Sequence, residues 1–180
     1  MAQELISIFV CEKDKDIENF LKERAINFEK LGKSRTFFIF DEEAEEFRIL
    51  AYFTIALQVL KVPEELLSAK KTKVLDGFSS KTRGMKITEF PAILIGQLGR
   101  NDLYKGSISG YEILEYCLVN ILMGQERLGG RIIMLECKNI PYLICLYGKF
   151  GFRKIDKDYS EDELIQMIKI LDESDIIEVR

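Results

Sequence analysis

At 180 residues and 20.9 kDa, with 47 % hydrophobic residues, the chain can bury a continuous core, which excludes wholesale disorder and predicts a single domain over residues 1–180. A formal net charge of −4 excludes a surface coated in positive charge for nucleic acid, although local charge is a separate matter. The chain has no histidine, which excludes Ser-His-Asp and Cys-His catalytic sites and argues against zinc, so no metal is expected.

No apolar run approaches the roughly 18–20 residues needed to cross a bilayer. The start, MAQELISIFVCEKDKD, lacks a basic region ahead of its short apolar stretch, so it does not read as a secretory signal, and a soluble cytoplasmic protein is expected. The four cysteines, Cys11, Cys117, Cys137 and Cys145, show neither a CxxC pair nor metal-ligand spacing. Each lies in an apolar stretch, where cysteine behaves as a small buried hydrophobe.

In chain order, residues 4–10 read as a short β-rich apolar segment. Ile17, Phe20, Leu21, Ala25 and Phe28 then recur at three- and four-residue steps, predicting a helix that ends near Gly32. Residues 35–41 and 47–60, rich in aromatic and β-branched side chains, read as two strands joined through the acidic run DEEAEE. Pro63 and the EELL after it predict a short helix, and residues 77–84 (GFSSKTRG) a flexible loop. Across 61–86, Lys61, Lys70, Lys71, Lys73, Lys81, Arg83 and Lys86 outnumber nearby acids. That excess suits either a solvated lysine surface or attraction to a phosphate backbone.

After Pro91, residues 92–101 read as a strand, the stretch DLYKGSISG as a turn, and Ile113, Leu114, Cys117, Leu118, Ile121 and Leu122 as the apolar stripe of a helix closed by Gly129–Gly130. A buried strand over 131–137, a helix from Asn139 to Tyr147 with Pro141 in its first turn, and a strand from Phe152 follow. The tail reads two ways: SEDE at 160–163 is a capping-box signature for a helix through Leu171, yet LIQMIKIL also fits a strand. The order β-α-β-β, then β-α-β-α-β, predicts an α/β (α+β) domain with a mixed sheet.

A strand that feeds a glycine-containing turn into a helix presents free N–H groups and the positive end of a dipole, which suits a phosphate. Here the turn is Lys105, Gly106, Ser107, Ile108, Ser109 and Gly110. Ser109 is also a plain N-cap with Glu112 at the capping-box position, and the two readings are compatible.

At these residues the chain resembles the GNAT N-acetyltransferases, through most of its length. The family pattern Gln/Arg-x-x-Gly-x-Gly/Ala, whose amides bind the coenzyme A pyrophosphate, falls on Lys105 to Gly110, with Lys105 replacing Gln/Arg and Ile108 replacing the middle Gly. The ending Φ-Tyr-x-x-x-Gly-Phe is matched by Tyr147, Gly151 and Phe152. The resemblance implies a mostly antiparallel sheet flanked by helices with a splayed central strand, and Tyr147 as proton donor to the departing thiolate. A tyrosine phenol, with a reference pKa near 10, can donate without first ionising. Without the resemblance, a Tyr on an apolar helix face is more often core.

The resemblance further implies pantetheine pairing by the backbone of Leu98, Gly99 and Arg100, a cofactor contact from Asn139, and acetyl-CoA as co-substrate. Residues 9–21 (FVCEKDKDIENFL), 34–40 (SRTFFIF) and 50–56 (LAYFTIA) look like the GNAT toxins of bacterial toxin–antitoxin pairs. That likeness implies the amino group of aminoacyl-tRNA as acceptor and an antitoxin as partner; a protein lysine or polyamine stays open as acceptor, and a homodimer as assembly. Glu89, Glu136 and Asp102 are candidate bases by location only. The alternative reading, favoured by Lys105 and Ile108, is a catalytically weakened GNAT-fold binding protein.

Overall fold

In the computed structural model, residues 2–42, 44–172 and 175 are described. Helix α1 spans Ala2–Ser7; α2 Lys15–Asn19 runs through a π-helical turn at Phe20–Arg24 into α3 Ala25–Lys30. Strand β1 is Arg35–Phe40 and β2 is Ile49–Lys61, followed by a 3₁₀ turn at Glu64–Leu66 and α4 Ala69–Asp76. A small hairpin, β3 Lys81–Thr82 with β4 Met85–Lys86, leads to β5 Glu89–Arg100, a 3₁₀ turn Asp102–Tyr104 and α5 Gly110–Leu128. Strand β6 Ile132–Cys137, α6 Pro141–Lys149, β7 Arg153–Lys154 and β8 Ile165–Ile170 complete the chain. The result is a mixed α/β architecture whose sheet is mostly antiparallel and flanked by helices.

The chain forms two compact units, Met1–Ala56 with Ile95–Ile121, and Leu57–Leu94 with Leu122–Arg180. In the first, β1, the head of β2 and the tail of β5 lie in that order, with β1 antiparallel to β2 from Arg35 opposite Ile55 to Phe40 opposite Ile49. Its core gathers Ile6, Phe9, Leu21, Ala25, Ile49 and Tyr52, the Phe9 ring standing edge-on to Tyr52 at 5.4 Å. In the second, the strand order is β2 tail, β5 head, β6, β8, β7. Leu60, Leu67, Phe90, Ile132 and Met134 centre that core.

Three expectations change and one open alternative is decided. Residues 2–7 are helical, not extended. Leu5, Ile6 and Phe9 recur at helical spacing and pack on the first unit's core, and burial of that stripe overrides strand propensity. Of the two readings of the tail, the strand is the one formed: Ile165 and Met167 are buried and β8 pairs antiparallel with β6 from Cys137 opposite Ile165 to Ile132 opposite Ile170. The capping-box contact itself forms, Ser160 N donating to Glu163 at 3.3 Å, but only a turn results.

The second change concerns residues 77–84, which carry half of the β3–β4 hairpin, with Arg83 and Gly84 at φ of 50° and 81° as a tight two-residue turn requires. Third, Cys145 is exposed on α6, while Cys11, Cys117 and Cys137 are buried as expected. No described helix is long and apolar enough to cross a membrane, and no metal-binding cluster occurs among the described residues.

Candidate active site

In the first unit the end of β5 is locked in place by Asn101, which the motifs did not single out, and by Asp102, a candidate base by location. Asn101 is 1 % exposed; its Nδ2 donates to Ile49 O at 2.9 Å, and its Oδ1 accepts from Val10 N and Leu103 N, both at 3.2 Å. Asp102 accepts from Glu12 N at 2.8 Å and its own N–H donates to Val10 O at 2.8 Å. An Asn-Asp pair at a strand end was the available signal, because short polar side chains satisfy backbone groups where a ladder stops. Asp102 is therefore a clamp on residues 10–12, and its near-buried carboxylate, 6 % exposed, is engaged by backbone rather than held ready as a base.

Leu98 and Arg100 are half-buried on the last residues of β5, and Gly99 between them is buried. Gly99 has its own packing reason: a Cβ there would overlap Ile17 and lie 2.9 Å from Tyr52 Cε1. The Tyr52 hydroxyl, which donates to Ile17 O at 2.5 Å, holds α2 against this spot.

The turn that follows brings Lys105 to Gly110 into α5. Gly106 has φ of +97°, the left-handed conformation that glycine adopts freely, and space is open where its Cβ would stand. Ile108, in place of the family's middle glycine, is buried, 5 % exposed. The amides of Gly106, Ile108 and Gly110 have no protein partner among the described residues. Such a turn fits an anionic pyrophosphate through backbone donors.

Three other donors are taken. Ser109 N and Oγ both donate to Glu112 Oε2, at 2.8 and 2.7 Å, while Ser109 Oγ accepts from Glu112 N at 3.2 Å. This is a complete capping box, and the Ser109 bonds hold the Glu112 carboxyl below its ordinary range. Lys105 Nζ lies 3.1 Å from Glu12 Oε2.

In the second unit Tyr147 is buried on α6, 8 % exposed, its ring edge-on to Phe152 at 6.1 Å. Its carbonyl accepts from the amides of Phe150 and Phe152 at 3.1 and 3.2 Å, so the Tyr-x-x-x-Gly-Phe ending folds back on the tyrosine's own turn, with Gly151 at φ of +84°. Pro141 stands at the first position of α6, where its missing N–H costs no helical bond. Asn139 is exposed, one residue before the Ile140 N-cap, and makes no hydrogen bond among the described residues. Glu89 pairs with Lys61 at 3.1 Å, and Glu136 accepts from Gln166 at 3.2 Å.

A cavity of about 720 Å³ lies in this second unit, with Leu67, Leu75 and Ile168 among its apolar lining and Lys70, Lys71 and Arg153 among its charges. Those three cations have no ion-pair partner among the described residues, whereas Lys61 and Lys86 of the basic segment are paired with Glu89 and Glu64.

No family model matches the chain, and no curated protein matches it either. Solved structures do. AtaT complexed with acetyl-methionyl-tRNAfMet superposes with a TM-score of 0.64 at 14 % identity, over 89 % of this chain and 85 % of that one. A tyrosine-to-phenylalanine variant of KacT gives 0.65 at 15 % identity, over 89 % and 85 % of the two chains. AtaTR bound with AcCoA gives 0.62 at 16 % identity, over 88 % and 83 %. These are GNAT-type toxin acetyltransferases of toxin–antitoxin systems, and the chain shares their fold.

Proposed function

We propose, for a chain with the fold of the GNAT toxin acetyltransferases, that it transfers an acetyl group from acetyl-CoA to a primary amine, the amino group of an aminoacyl-tRNA. The observation that carries the cofactor half is the Lys105–Gly110 turn, whose unpartnered amides at Gly106, Ile108 and Gly110 lead into α5 while the Ile108 side chain is buried. AtaTR bound with AcCoA supports the same assignment by analogy. Bound acetyl-CoA supplies an activated thioester. The chain supplies pyrophosphate donors at the turn, backbone pairing for the pantetheine arm at Leu98, Gly99 and Arg100, a contact from Asn139, and the Tyr147 phenol as proton donor to the leaving sulfur. No carboxylate is assigned as base: Glu89, Glu136 and Asp102 each have another partner, and an amine that is already neutral needs none.

The tRNA half is supported by the AtaT complex and by the unpaired Lys70, Lys71 and Arg153, cations suited to a phosphate backbone. An antitoxin partner follows by analogy with the antitoxin-bound AtaT structure. The test is acetylation of bulk aminoacyl-tRNA with labelled acetyl-CoA. Tyr147→Phe should lower the rate by roughly a hundredfold, the lower range for a positioned acid. The same variant should keep the thermal stabilisation by acetyl-CoA, worth about 2.7 kcal/mol at a hundred times Kd. An unaltered rate would remove Tyr147 from the chemistry, and labelled protein or polyamine with unlabelled tRNA would replace the acceptor.

A second reading, a GNAT-fold protein with weakened catalysis, is favoured by one observation: Glu112 and Glu12 hold Ser109 and Lys105, two groups that an anionic cofactor would use. Absence of any thermal shift at millimolar acetyl-CoA would select it.

A further inference from the structure

We propose that Glu112 at Ser109, and Glu12 at Lys105, are internal anions that compete with the cofactor's pyrophosphate for the donors of the Lys105–Gly110 turn and so set cofactor affinity. The inference rests on the cofactor reading above and adds to it a determinant of this chain's own.

A diphosphate entering the start of α5 needs N–H groups and positive charge. Three of the turn's amides are open, but the Ser109 amide and hydroxyl converge on one oxygen of Glu112, and the Lys105 ammonium faces Glu12. The Ser109 bonds favour the ionised carboxylate, so Glu112 carries its charge at neutral pH. The backbone that carries Glu12 is fixed: its amide is tied to Asp102 Oδ2 at 2.8 Å, and the Val10 amide two residues earlier to Asn101 Oδ1 at 3.2 Å. Both carboxylates therefore stand at the turn before any ligand arrives. A diphosphate must either push them off their donors or bind beside two like charges, and each route weakens binding. Because both side chains are exposed, the displacement is within reach, and the effect is one of affinity rather than blockage.

Glu112→Gln separates charge from structure, since glutamine at this position also completes a capping box and helix α5 stays capped. By calorimetric titration with acetyl-CoA, E112Q should bind roughly fivefold tighter than the unaltered protein, the effect of a charge at a helix end. E12Q should gain less, because Glu12 holds a side chain and not the helix amide. E115Q, with the same change of net charge one turn further along α5, should not differ from the parent. The advantage of E112Q should shrink between low salt and about 0.5 M salt, as screening removes exposed charge–charge repulsion. A capping defect would not show that salt dependence. Equal or weaker binding by E112Q, or an equal gain in E115Q, overturns the competitor role while leaving the cofactor reading standing. Failure of both the parent and E112Q to bind acetyl-CoA overturns the two together.

Discussion

Gly99 shows how one missing side chain joins two roles. Ile17 and Tyr52 already fill the space a Cβ would take, so Gly99→Ala must push α2 or β2 aside. Overpacking of that kind costs about 1–3 kcal/mol, to be read from the urea midpoint; an unchanged midpoint would show that the contact relaxes freely. Glu18 is the other residue with a measurable signature. Lys15 first, then the Cys11 amide and Lys22, hold its carboxyl down to about 2. The folded value lies below the unfolded one, so the stabilisation is complete above roughly pH 4.5 and is lost as pH falls through the folded value. Glu18→Gln should therefore have a lower Tm than the parent at pH 7, and the gap should narrow toward pH 2.5. A gap that stays constant over that range would mean Glu18 acts through packing alone. The roles proposed for Tyr147 and the Lys105–Gly110 turn rest on residue types legible in the sequence. Glu112's grip on Ser109 was legible only as a capping pattern, because whether a carboxylate also stands in a ligand's way is a matter of where the helix points.

At the scale of elements, α4 was only half visible. Pro63 and the EELL that follows marked a helix start, yet the chain makes one 3₁₀ turn there and begins α4 after Ser68, whose Oγ accepts from Lys71 N at 3.1 Å. A lysine-rich helix with Thr72 and Leu75 as its buried residues shows little periodicity, so the cap was the stronger signal. Ser68→Ala should lower stability by about 1 kcal/mol, with the loss visible in thermal unfolding; a neutral result would place the helix's stability in Leu75 and the core below it. Strand β8 and helix α1 make the same point from opposite directions. A short apolar run carries no unique period, and the decision falls to whichever neighbour offers a ladder or a groove. For Ile165–Ile170 that neighbour is β6, while for Ala2–Ser7 it is the Phe9–Tyr52 core.

For the molecule as a whole, charge is distributed against the average. The chain is net acidic at −4, yet Lys70, Lys71 and Arg153 stand together on one cavity without acidic partners among the described residues. Reversing Lys70 and Lys71 to Glu should slow acetylation of aminoacyl-tRNA by roughly tenfold or more and flatten its salt dependence, as lost phosphate contacts require. The stabilisation by acetyl-CoA should be unchanged in that variant. A loss of both would show that the double substitution damages the fold and would withdraw these lysines as acceptor contacts.

By itself the amino-acid sequence determined most strands and helices, the exclusion of histidine chemistry, and the resemblance carried by Lys105–Gly110 and Tyr147–Phe152, because periodicity, capping residues and short motifs are local properties. Only the tertiary structure decided that Ile108 is buried, that Asn101 and Asp102 clamp residues 10–12, that Cys145 is exposed, and that the tail pairs as a strand. Each of those depends on what lies beside a residue in space, and partners far apart in the chain leave no mark in the spacing of their neighbours.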